Sequence, residues 1–173
     1  MRAIRDAVEA KLAALLAHNP LRTDFQRRYE QIVADYNGEK DRLTIEQTFE
    51  ALLKFIGELS DEEERAVREG LDEETLAIYD LLKKPSLTKA ETEKVKSVAR
   101  ELLDALKTGL LAVAHWREKQ STRDGVRKQI HDFLFSEATG LPTAYSESEI
   151  GAKTEAVYRH VFEIYPGGRH TAA

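Results

Sequence analysis

The sequence predicts an all-α protein, a compact bundle of about seven or eight helices, and three observations carry that expectation. Apolar residues recur at intervals of three and four, most regularly at Val95, Val98, Ala99, Leu102, Leu103 and Leu106. Signatures of helix starts, Ser or Thr followed three residues later by Glu or Gln, stand at Thr44–Gln47, Ser60–Glu63, Thr88–Glu91 and Ser146–Glu149. No segment alternates polar with apolar residues as a half-buried strand would. A charged content of 33% beside 42% hydrophobic residues suits amphipathic helices with wet outer faces.

Taken in order, Ile4, Val8, Leu12, Leu15 and Leu16 form the first stripe, which His18-Asn19-Pro20 ends. It reads as mid-helix from its first residue, with no capping residue ahead, as expected of a segment from a longer polypeptide. Thr23 or Asp24 caps a second helix with Phe25, Tyr29, Ile32, Val33 and Tyr36 inward, closed by Asn37-Gly38. The third starts at the Thr44–Gln47 box, turns Phe49, Leu52, Leu53 and Ile56 inward, and ends near Gly57. The Ser60–Glu63 box then opens a short acidic helix up to Gly70, its first turn favoured by the helix dipole. Asp72 caps a helix over 73–82, with Leu76, Tyr79 and Leu82 facing in, and Pro85 stops it.

Thr88 and Glu91 open the longest and most regular helix, broken at Gly109. The run Leu110 to Trp116 stays open between a buried helix end and an extended connector, because short apolar runs carry no decisive period. A helix follows from about Ser121 to Phe135. Thr139 to Pro142 is a turn, and Ser146 opens a last helix that faces Ile150, Thr154, Val157, Val161 and Ile164 inward. The whole reads as one helical domain over residues 1–168, with 169–173 a disordered tail.

Several function classes drop out at once. With no Cys there is no disulfide or thiolate chemistry, and a reducing, cytoplasmic setting fits. No apolar run approaches bilayer length and no signal-peptide core is present, so no membrane partner is expected. A net charge of −5 disfavours nucleic acid as the main partner, although a local basic face can still touch phosphate.

No glycine-rich phosphate loop ending in Lys-Ser or Lys-Thr occurs, nor a Gly-x-Ser-x-Gly elbow. His131 beside Asp132 is the best metal candidate, and its plainer reading is a polar residue at a helix edge. His115 suits a backbone hydrogen bond at a bend better than acid–base work. Glu58, Asp61, Glu62, Glu63 and Glu64 read as a solvated capping turn, and Glu9-Ala10-Lys11 lies in a helix rather than on a nuclease strand. The expectation is therefore no catalytic residue, no cofactor site and no metal site.

One stretch stands out. Trp116, the only Trp, precedes a stripe of Val126, Ile130, Phe133 and Leu134 on one helical side, which with Trp116 is expected in the core. Arg117, Lys119, Arg123, Arg127 and Lys128, against Glu118 and Asp124, leave the other side positive. As an ordinary wet face, these stems cover apolar surface; as a functional one, they contact DNA phosphates or an acidic partner.

The ordered blocks point further. The run from Gly70 to Leu82, the helix Val95-x-x-Val98-Ala99-Arg100-Glu101-Leu102-Leu103-x-x-Leu106, and Trp116 followed by Lys119, Arg123, Val126, Arg127 and Ile130 come in sequence. With Arg28-Tyr29-x-x-Ile32-x-x-x-Tyr36-Asn37 upstream, they resemble the C-terminal helical region of type I restriction enzyme R (HsdR) subunits. The resemblance covers most of the chain. It implies a subunit that elsewhere carries a nuclease domain and two helicase-like motor domains using ATP and Mg, and that cleaves DNA while translocating it. This chain would be the terminal domain alone. It would be non-catalytic, hold no cofactor of its own, and dock the motor subunit onto the methyltransferase–specificity core. Its partners would be the methyltransferase subunit and the motor domains of its own chain.

Overall fold

The computed structural model describes residues 2–19, 22–38 and 42–166. Among these it is all-α, with eight α-helices and no strand. The helices are α1 Arg2–His18, α2 Thr23–Gly38, α3 Arg42–Glu63, α4 Arg65–Glu69, α5 Glu73–Leu82, α6 Lys89–Thr108, α7 Gln120–Phe135 and α8 Glu147–Ile164. Pro20 and the tail 169–173 lie outside the described residues. None of the helices is long and apolar enough to cross a membrane. The chain divides into two compact units, Met1–Glu74 and Thr75–Ala173.

In the first unit α1, α2 and α3 pack around Val8, Leu12, Leu15, Tyr29, Leu52, Phe55 and Leu59. The Phe55 ring sits at its centre, tilted against Phe25 with centroids 6.1 Å apart and stacked on Tyr29 at 6.3 Å. Helix α3 differs from its reading in three ways. It begins at Arg42, which puts Thr44 inside the helix rather than at its cap. It runs straight through Gly57 and Ser60, and the Ser60 hydroxyl donates to the Ile56 carbonyl four residues back (3.0 Å) instead of capping a new helix. A glycine inside a helix costs about 1 kcal/mol, less than the roughly 1.5–3 kcal/mol each from burying Phe55 and Leu59 on either side.

Its buried face is also rotated, to Thr48, Leu52, Phe55 and Leu59, which leaves Phe49 and Leu53 exposed rather than inward. The break comes later. Gly70 ends α4 in the left-handed region (φ 68°), and the Gly70 and Leu71 amides donate back to Val67 and Ala66.

The acidic run lies within α3 and beyond its end, in part solvated and in part paired. Glu58 pairs with Arg28, Glu63 with Lys11, and Glu62 with both Arg22 (2.9 Å) and Arg65 (3.3 Å). Arg22, its side chain 4% exposed, also lies 3.0 Å from Glu73. Glu62 turns inward because Arg22 and Arg65 reach it, while Asp61, Glu63 and Glu64 stay exposed.

In the second unit α5 is buried on all sides from Thr75 to Tyr79 and again at Leu82, as expected of a helix apolar around its circumference. Val95, Val98, Ala99, Leu102, Leu103 and Leu106 of α6 are all buried. Both boxes read for this region form: Thr88 with Glu91 opens α6 and Ser146 with Glu149 opens α8. Helix α8 buries Ile150, Thr154, Val157 and Val161, but Ile164 is exposed and His160 takes an inward place. Burial pulls the His160 imidazole below its ordinary pKa.

The end of α5 is held by the turn before α8. The Tyr145 hydroxyl donates to the Leu82 carbonyl (2.8 Å), and burial pushes its pKa up to about 12. The Lys84 ammonium lies 4.6 Å from the Tyr145 ring and donates to both Glu149 oxygens (2.8 and 3.0 Å). That bond, with the Ser146 amide, holds the Glu149 carboxyl down to about 2. Beyond α7, Gly140 passes so close to the helix end that a Cβ there would stand 2.3 Å from the Leu134 carbonyl oxygen and 2.4 Å from that of Ser136.

Two outcomes are expected. Gly140→Ala destabilises the second unit by about 1–3 kcal/mol in urea unfolding, since backbone has to move to admit the methyl. A depressed folded pKa makes the Glu149 contribution present above its unfolded value, about 4.3, and lost as pH falls toward about 2. The stability gap between the natural chain and Glu149→Gln is therefore widest near pH 7 and narrows at pH 3; a gap that widens in acid contradicts this.

Candidate functional site

The region to build is the corner where α6 gives way to α7 against α8. Helix α6 stops at Gly109, where a Cβ would come within 2.8 Å of the Ala105 carbonyl oxygen and 3.2 Å of Gln129 Nε2. A single 3₁₀ turn, Leu110–Ala112, follows with Leu111 buried, and an irregular connector carries the chain on to α7. Thus the ambiguous run is a connector rather than a helix end, and it is turned rather than extended. His115 adopts the left-handed conformation (φ 57°) that reverses the chain, and its Nδ1 lies 2.9 Å from Glu118 Oε1, a side chain rather than backbone.

That reversal drops Trp116 into the core with 0% exposure. A buried indole must satisfy its N–H, and this one donates to the Tyr165 carbonyl just past α8 (2.8 Å). Phe162 and Tyr158 meet the indole edge-on, at 5.8 and 6.5 Å between centroids. Arg117 donates to the carbonyls of Tyr165 and Glu163 (3.3 Å each) with its guanidinium 5.4 Å from the Phe162 ring. The last carbonyls of a helix lack internal partners and carry partial negative charge, so an indole N–H and a cation suit them.

The remaining cations of the predicted basic face have occupations of their own. Arg123 donates to the Arg117 carbonyl (2.8 Å) and to Gln120 Oε1 (2.6 Å). The guanidinium of Arg127 lies 4.2 Å from the Tyr158 ring centroid and pairs with Glu155 at 2.9 Å. Lys128 pairs with Asp132 and holds that carboxyl below its ordinary pKa. Lys119 stands exposed at the start of α7. Of this positive stripe Arg127 alone joins α7 to α8, Arg117 ties the connector to the end of α8, and Arg123 and Lys128 are engaged within the connector and α7.

Val126, Ile130 and Leu134 are fully buried. Phe133 is only half-buried, because it borders an open groove of about 560 Å³ that it shares with Leu110, Gly125 and Gln129. His131 stacks on the exposed ring of Phe135 at 5.7 Å. Periodicity missed the receiving rings, Tyr158 and Phe162. Their spacing of four along α8 was a usable signal, obscured by the stronger aliphatic stripe beside it. Among the described residues no three His, Asp or Glu side chains gather as a metal ion requires. The groups with perturbed pKa values are spread over caps and clamps, from Tyr29 and Glu91 to Tyr145 and Glu149.

Against known proteins, residues 1–164 match the family described as type I restriction enzyme HindI endonuclease subunit-like, C-terminal. The chain is 26% identical over 124 residues to the putative type I restriction enzyme MjaIXP endonuclease subunit of Methanocaldococcus jannaschii. That alignment takes in 70% of this chain and 12% of the relative, so the chain spans a small part of that protein's length. No solved structure matches it.

Replacing Trp116 by Ala is expected to cost about 3–5 kcal/mol, the range for deleting a fully buried large aromatic. Trp116→Phe should recover much of the packing while leaving the Tyr165 carbonyl without its indole donor. Chemical denaturation showing a loss below about 1 kcal/mol for the alanine variant would contradict the burial described here.

Proposed function

Since the chain belongs to the family of type I restriction enzyme HindI endonuclease subunit-like C-terminal regions, we propose that it is the non-catalytic assembly domain of a type I R subunit. In this reading it docks the motor and nuclease parts onto the methyltransferase–specificity core. The observation that carries it is the family match across residues 1–164, which includes all eight helices. The local chemistry supports a shape role. Trp116, Arg117, Arg123, Arg127, Tyr145 and Lys84 are occupied with carbonyls, rings and carboxylates of the same chain. ATP, Mg and DNA cleavage would belong to the rest of the parent subunit, and the setting would be the cytoplasm.

A second reading, direct DNA contact, is favoured by one observation: Lys119 and Lys128 are exposed along α7. Arg127 is the partly exposed cation between them, while Arg117 and Arg123 are turned to backbone carbonyls.

Mixed with its cognate methyltransferase–specificity complex at tens of micromolar, about the weak end of specific binding, the chain is expected to co-elute on size exclusion. Separate elution counts against docking. Titration with duplex DNA tests the other reading, which requires affinity that falls steeply with salt; no binding at low salt removes it.

A further inference from the structure

The rotated face of α3 leaves three large apolar side chains, Ile45, Phe49 and Leu53, exposed to 37, 40 and 49%. Spaced four apart, they form one stripe alongside the buried face of Thr48, Leu52, Phe55 and Leu59. Scattered surface hydrophobics need no explanation, but a continuous stripe next to a core does. Glu46 and Glu50 wall one side of it and share with Ile45 and Phe49 a hollow of about 290 Å³.

We infer that this stripe is where the domain grips the methyltransferase subunit, and that the occupant is an amphipathic helix edged with Lys or Arg. Its aliphatic side chains would enter the hollow between Ile45 and Phe49, and its cations would face Glu46 and Glu50. The acidic wall argues against a second copy of the chain as occupant. Two α3 helices laid antiparallel across Phe49 bring the same flank of each together, so the Glu46–Glu50 walls would oppose each other. The inference rests on the docking reading above.

The test measures binding of the chain to its cognate methyltransferase–specificity complex by titration calorimetry. It compares the natural sequence with Phe49→Ser, Leu53→Ser and the double variant Glu46→Lys, Glu50→Lys. Phe49→Ser is expected to weaken binding about tenfold or more, as loss of a central aromatic anchor does. The double charge reversal should also weaken it, with a salt dependence smaller than the natural chain's. Urea midpoints should stay close to natural, since these side chains lie outside the core. Natural-strength binding by all the variants would overturn the surface and leave the docking reading standing. No binding by the natural chain would overturn both. A urea midpoint that falls in Phe49→Ser as for a core residue, or a natural-chain dimer that Phe49→Ser dissociates, would equally overturn the inference.

Discussion

The indole N–H of Trp116 needs an acceptor once the ring is buried, and it finds one 49 residues further along the chain, at the Tyr165 carbonyl. An unmet buried donor costs about 1–3 kcal/mol, so this single bond constrains a good deal. It draws the α6–α7 connector onto the end of α8 and sets Arg117 over Phe162. The Trp116 carbonyl in turn accepts from the Thr122 hydroxyl, which fixes the entry into α7. From that entry Val126, Ile130 and Leu134 fall into the core and Arg127 comes over Tyr158.

The first unit applies the same rule to charge. Arg22 is buried, and its guanidinium is tolerable there because Glu62 and Glu73 both reach it. Such an arrangement adds little net stability over an apolar equivalent, yet removing one partner strands the others at about 3–5 kcal/mol. Its effect is therefore on geometry: the turn before α2, the end of α3 and the start of α5 are tied at one point. Both units thus use long cationic side chains to finish helix ends, a use that sequence charge counts cannot distinguish from a wet surface.

Among the described residues the titratable groups with shifted pKa values, from Tyr29 and Glu91 to Tyr145 and Glu149, serve in capping and joining helices. The family to which the chain belongs is a C-terminal part of a restriction endonuclease subunit. Beside polar groups that hold the helices together, a row of apolar side chains along α3 remains open.

How much of this could be read beforehand depends on how local the cause is. The stripes of α1, α2 and α6, the Thr88–Glu91 and Ser146–Glu149 caps, and the all-α class are written into neighbours within four residues, so the sequence by itself determined them. Ser60 carried the same local signature as Ser146 yet lies inside α3, because the core stripe on both sides outweighs one cap and one glycine. Which side of α3 is buried, whether the acidic run is wet or paired, and where the α7 cations point were decided only in the tertiary structure. Each is set by which distant helix supplies the opposing ring, carbonyl or charge, and spacing along one segment holds no information about that.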